Sequence, residues 1–265
     1  MDSHSWDTWA VSIRGNQLWQ VSAVLDRYLN DSESRISLPV EWEYRSYLNL
    51  PHEFFNNLSP VTDVARLQGG PYFQRLGEIA VAIPFLKKWY SPSPAAEERF
   101  LEHHWDLLRA ADENHVTSVH VRRTDYLKNP YRFPTLPVSY YETAVGKVLE
   151  DHPDSIVYVF SDDPSWCREY LSHLARRVVF VEGHVRPIPP RLRKSDPTDI
   201  FDLWLMTHCD AHVVANSTFS WWGAFLSDQK NVLYPSRWFG PDAVGADRMW
   251  EAFPESWVKV DVDYP

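Results

Sequence analysis

Between residues 116 and 234, short apolar runs alternate with segments of helical period, and this alternation restricts the fold more than any other feature. Val116–Val121, Ile156–Phe160, Arg177–Val181, His212–Ala215 and Asn231–Tyr234 read as strands. Between them, Val138–Leu149, Pro164–Leu174, Pro197–Cys209 and Ser217–Leu226 carry helical periodicity. Continuously apolar strands are buried on both faces, and strands separated by helices pair in parallel. The pattern therefore predicts an α/β fold built from βαβ units. Such sheets bind ligands beyond the carboxyl ends of their strands. Three polar clusters follow strands here: His120 to Asp125, Ser161-Asp162-Asp163, and Asn216-Ser217-Thr218. All three are expected on one edge.

The first half is less regular. Thr8–Ile13 is β-prone, Arg14-Gly15-Asn16 reads as a turn, and Gln17–Leu29 as a helix. Ile36–Val40 reads as a second strand and Gly69-Gly70-Pro71 as a loop. Ile79–Tyr90 is expected to be a helix broken at Pro84. Ser91-Pro92-Ser93-Pro94 reads as a turn before a helix over Ala95–Ala111. A junction at residues 111–116 would give an N-terminal domain of residues 1–112. The C-terminal domain would be residues 113–265, its last helix packing back on the first.

Composition narrows the partners. A formal net charge of −10 argues against nucleic acid, so any anion site must be a local concentration of positive charge. No apolar run of membrane-spanning length occurs, and the start, Met1-Asp2-Ser3-His4, lacks a signal peptide's basic end. Two cysteines, Cys167 and Cys209, make no disulfide framework and are read as buried small hydrophobes. Together these predict a cytoplasmic protein, at most peripheral to a membrane. The 13 tryptophans suit either sugar stacking or core packing, and composition leaves both open.

Adjacent arginines usually decorate a surface. Arg122 and Arg123 instead end an apolar strand, with His120 before them and Thr124-Asp125 after. Guanidinium supplies bidentate, permanently charged donors suited to a departing diphosphate. Asp125 could orient an arginine or serve as a general base. Asn216-Ser217-Thr218 is either an ordinary helix N-cap or an anion site made by a helix N-terminus. Asp162-Asp163 is explained by capping together with a nucleotide contact, and no third carboxylate nearby suggests a metal.

These residues also resemble a known family. His120-Val121-Arg122-Arg123-Thr124-Asp125-Tyr126, Phe160-Ser161-Asp162-Asp163 with Trp166, and Asn216 to Ala224 look like the α-1,2-fucosyltransferases, glycosyltransferase family 11. Gly15-Asn16-Gln17-Leu18-Trp19-Gln20 is similar to that family's N-terminal motif, and Gly70-Pro71-Tyr72-Phe73-Gln74 more loosely to a second one. The resemblance implies a GT-B-like fold, two Rossmann-like domains with parallel sheets facing across a cleft. It implies GDP-β-L-fucose as donor, an oligosaccharide or polysaccharide acceptor, inversion, and no cofactor or metal. The expected linkage is to the 2-OH of a β-galactose; another linkage, or a non-catalytic glycan-binding protein, is the alternative.

By this resemblance, the donor is held by Gly15, Asn16, Gln17, His120, Arg122, Arg123, Asp162, Asp202, Asn216, Ser217 and Thr218. Arg122 and Asp125 are the catalytic pair. His120 and Arg122 would meet the pyrophosphate, Arg123 would support them, Asp202 would read the guanine edge and Thr218 the β-phosphate. The chain departs from the family in lacking leading glycines before Gly15. The α-1,6-fucosyltransferases, which share the His120 to Asp125 stretch, have a glutamate base a few residues on, where Tyr126 to Tyr131 holds no acid.

Overall fold

The computed structural model of the chain describes residues 14–30, 42–52, 74–181, 198–241, 243 and 250–263. These fall into two compact units, Met1–Glu98 with Arg248–Phe253, and Arg99–Asp247 with Pro254–Pro265. In the first lie α1 (Arg14–Asn30) and α2 (Ile83–Trp89). The expected strands over residues 8–13 and 36–40 and the loop at 69–71 lie outside the described residues.

Two expectations for this unit are corrected. The residues expected to form a turn, Arg14-Gly15-Asn16, are the first turn of α1. Pro84 does not break a helix: it sits in the first turn of α2, where a missing N–H costs nothing. Asp26 on α1 accepts from the Val81 and Ala82 backbone N–H groups, at 2.6 and 3.0 Å, and so ties α1 to the start of that helix.

α3 (Pro94–Glu113) leads into the sheet-bearing unit. Its order is β1 (Val116–Val121), α4 (Val138–Asp151), β2 (Ile156–Ser161), α5 (Pro164–Leu171) and β3 (Arg177–Val181). Then follow α6 (Thr198–Thr207), β4 (Ala211–Val213), α7 (Thr218–Ser227), β5 (Val232–Pro235) and β6 (Val258–Val260). The fold is α/β, with all six strands parallel in the order β3-β2-β1-β4-β5-β6. The five strands anticipated from sequence are present to within two residues at either end. β6 was not anticipated, because Val-Lys-Val is too short to announce itself. Among the described residues no α-helix follows α7, so the expected last helix has no counterpart there.

Strand order places the helices. Right-handed crossovers put α4 and α5 on one face as the chain steps from β1 to β3, and α6 and α7 on the other as it reverses. Packing agrees. Val119, Val121, Val157, Val159, Ala211 and Val213 share a core with Tyr141 and Val145 of α4 and with Cys167 and Leu171 of α5. On the opposite face the Tyr158 hydroxyl donates to the Leu107 carbonyl of α3 at 2.8 Å. The His120 ring lies 5.5 Å from that of Phe219 on α7. α6 and α7 run side by side at Gly223, where any Cβ would press on Met206. Both cysteines are buried and unpaired. No described helix is long and apolar enough to cross a membrane.

Candidate active site

The order β3-β2-β1-β4-β5-β6 reverses direction between β1 and β4, and the crevice outside that point is where open α/β sheets take ligands. β1 ends in His120-Val121 and opens into Arg122 to Asp125. β4 opens into Asn216-Ser217 and the start of α7. Two of the three polar clusters therefore flank the switch point, and the third follows β2, paired directly with β1.

Asp162 organises the loop after β1. Its Oδ1 accepts from Arg123 N at 2.9 Å, and its Oδ2 from Thr124 N at 3.1 Å and from the Thr124 hydroxyl. Arg122 Nη1 stands 3.5 Å from the same Oδ2. Burial alone would raise the Asp162 pKa; the Thr124 hydrogen bond, the Arg122 charge and the Arg123 N–H outweigh it and hold it below the ordinary value. Asp163 does the capping, accepting from Trp166 N at 3.2 Å at the start of α5.

The two arginines have different surroundings. Arg123 Nε lies 3.3 Å from Asp163 Oδ2, and its guanidinium stacks 4.0 Å over the Trp166 ring. It braces the loop against α5 by charge and by cation–π attraction. Arg122 lies between Asp125, 2.8 Å from Nε, and Asp162. Burial would lower its pKa, but Asp125 and Asp162 together raise it. Two arginines thus stand among three aspartates, so the loop offers an aimed guanidinium rather than a net positive patch.

His120 is buried, with no hydrogen-bond partner for Nδ1 among the described residues. Burial, and then the Arg122 charge, push its pKa down from 6.5 to about 3, so the ring is neutral near pH 7. The unfolded chain therefore takes up the proton first. The stability involved is held above pH 6.5 and lost as pH falls from there toward 3. We expect the unfolding midpoint to fall on acidification through this window, with a slope of up to ~1.4 kcal/mol per pH unit from this one proton. His120→Asn should flatten the dependence in thermal melts recorded across that range.

Asn216 staples three segments. Its side-chain N–H groups donate to the Pro134 and Trp238 carbonyls at 2.9 and 3.0 Å, and its own carbonyl accepts from the Tyr126 hydroxyl at 2.8 Å. Its Oδ1 is buried with no partner among the described residues. Ser217 caps α7, its hydroxyl accepting from Phe219 N at 3.4 Å, and Thr218 is the first residue of the helix. The loop over residues 126–134 is also held at Gly240, which donates to the Arg132 carbonyl at 3.0 Å. A Cβ on Gly240 would drive into the Tyr131 carbonyl oxygen, a backbone atom that cannot rotate away. Gly240→Ala is expected to cost about 1–3 kcal/mol of stability, measurable by denaturant melts.

Residues 98–260 match the family described as Glycosyl transferase family 11. The chain belongs to glycosyl transferase family 11. It is 30% identical over 238 residues, 85% of its length and 62% of the relative's, to a galactoside 2-alpha-L-fucosyltransferase of Caenorhabditis elegans. It is also 30% identical over 164 residues, 59% of its length and 50% of the relative's, to an alpha-1,2-colitosyltransferase of Escherichia coli. An O-antigen biosynthesis glycosyltransferase of the same species, WbnK, is 30% identical over 51% of this chain and 46% of its own. The chain thus spans about half the length of several curated relatives it matches.

Within this family 11 chain, His120, Arg122, Arg123, Asp125, Asp162, Asn216, Ser217 and Thr218 come together at the carboxyl edge of β1, β2 and β4. Gly15, Asn16 and Gln17 lie in the first unit. There Asn16 Oδ1 accepts from Gln74 Nε2 at 2.8 Å, so residues of the two N-terminal motifs meet. Asp202 stands on α6, its Oδ1 3.3 Å from His104 Nε2. Sequence reasoning assigned Asp162 and Asn216 to the donor; the structure shows both engaged with the protein's own loops. It overlooked Gly240 and Trp238, although a glycine between Phe239 and Pro241 is itself a sign of close backbone approach. His104 offered no such signal.

Proposed function

We propose that this chain transfers L-fucose from GDP-β-L-fucose to a glycan hydroxyl, with inversion and without a metal. The acceptor is the 2-OH of a β-galactose. The observation that carries this is the position of the Arg122 loop and the α7 N-terminus on either side of the switch point between β1 and β4. The galactoside 2-alpha-L-fucosyltransferase similarity supports the sugar and the linkage.

The acceptor oxygen forms a bond to the anomeric carbon as the bond to the β-phosphate breaks, and GDP leaves with the electron pair. Arg122, pre-aimed by Asp125 and Asp162, meets the charge developing on the diphosphate together with the α7 N-terminus around Ser217 and Thr218. His120, neutral, approaches that charge as a hydrogen-bonding group and not as a cation. Asp202 receives the guanine edge. Asp125 is half-exposed and takes the acceptor proton. That proton moves late in the step.

The test is incubation with GDP-fucose and a panel of β-galactosides, with and without EDTA, followed by linkage analysis of the product. An α-1,2-linked product formed in EDTA is the expected result. Transfer from another nucleotide sugar with none from GDP-fucose overturns the donor, and the colitosyltransferase similarity makes that relative's donor the first competitor to include. Glycan binding without any stabilisation by GDP overturns the enzyme.

A further inference from the structure

One buried polar pair plays no part in the diphosphate chemistry. α3 is helical except at His104, where φ −113° and ψ 17° leave the helical region. The ring is fully buried, edge-on to His103 and Phe100 at 4.5 and 5.9 Å. An aliphatic side chain would fill such a place at no desolvation cost, whereas an imidazole must be matched by a polar partner. His104 Nδ1 has no hydrogen-bond partner among the described residues. Nε2 faces Asp202 Oδ1 at 3.3 Å, an ion-pair distance short of a well-aligned hydrogen bond. The contact with Asp202 is therefore what a histidine gains here.

Asp202 is divided between interior and surface. Its Oδ1 is buried toward His104, yet 23% of the side chain is exposed. Its level in the fold follows from the helix pair. α6 and α7 each lead back along the same face of a parallel sheet, so they run in the same direction. They touch at Met206 and Gly223. One turn earlier on each stand Asp202 and Phe219, and the Phe219 ring packs on His120. Asp202 thus stands level with the last residues of β1.

We propose that His104 is a positioning residue: by holding Oδ1 it fixes the carboxylate of Asp202 so that the outer oxygen meets the N1–H and 2-amino donors of a guanine base. This rests on the guanosine-diphosphate reading above. Apo contacts of this kind are often long and tighten when the ligand draws on the far side of the group. The consequence is selectivity for guanine, with no direct contact between His104 and the ligand.

The experiment compares calorimetric binding of GDP and of inosine diphosphate, which lacks only the 2-amino group, by the full chain. The wild type should prefer GDP by about tenfold or more, the worth of one hydrogen bond to a charged group. Asp202→Asn should bring that ratio near unity. His104→Phe, which keeps the edge-on ring packing, should reduce it to about threefold or less, with GDP binding weakened more than inosine diphosphate binding. His104→Gln, which restores a donor, should recover most of the ratio. If the phenylalanine variant does not fold, His104→Met fills the space without a donor and carries the same comparison. A ratio lost in Asp202→Asn but intact in His104→Phe, or in His104→Met where that stands in, overturns the role of His104 alone. A wild type that does not separate the two nucleotides, with Asp202→Asn behaving identically, overturns the base reading and the proposal with it.

Discussion

Arg122→Ala should lower turnover by roughly 10²-fold or more, the scale of removing one preorganised donor from a developing negative charge. The geometry sharpens that expectation. Arg122 is held between Asp125 at 2.8 Å and Asp162 at 3.5 Å, so its direction is fixed before any ligand arrives. Removing it also leaves the Asp125 and Asp162 carboxylates without the guanidinium between them. Arg122→Lys keeps the charge but loses the planar fork, and should recover only part of the rate. Steady-state kinetics with GDP-fucose, alongside a melting curve, separate the two possible roles. A variant with near-normal turnover would sink the leaving-group assignment, whereas a large drop in melting temperature would mark Arg122 as structural.

Asp162→Asn should also cost about 10²-fold in kcat/KM, for a different reason. The exchange preserves shape, but whichever way the amide turns, its NH2 must replace one accepting oxygen. One orientation sets it against Thr124 N–H and the Thr124 hydroxyl, the other against Arg123 N–H. A donor facing a donor in a partly buried loop should cost about 1–3 kcal/mol of stability. The diagnostic is non-additivity. If Asp162 acts by aiming the loop, Asp162→Asn should add little to an Arg122→Ala variant. Full multiplication of the two effects would show that Asp162 contacts the donor itself. The depressed pKa adds a sign: this carboxylate's contribution to stability is present above its unfolded value and lost as pH falls through the native one. The asparagine variant should therefore lose less of its melting temperature on acidification than the wild type.

The second half of the chain was legible because each strand is short, apolar and bounded, and each helix has its period. Pro84 was misread for a local reason: a proline within a periodic stretch can break a helix or begin one, and only the hydrogen bonding before it decides. The site was legible by type and not by partner. His120, Arg122, Asp162 and Asn216 announced polar chemistry at strand ends. Which carboxylate would hold which arginine was not written in their spacing. Asp162 and Asp163 are neighbours, yet one turns to Thr124 and the other caps α5 and meets Arg123.

Alone, the sequence determined the α/β class, the edge of the sheet where the polar clusters collect, and the family, because periodicity and motif are local properties. The tertiary structure decided the strand order that sets the reversal between β1 and β4, and the pairings across it. Tyr126 reaches the carbonyl of Asn216 and His104 faces Asp202 over separations of 90 and 98 residues. Contacts of that range depend on crossovers bringing distant elements to one place, and no window of residues encodes them.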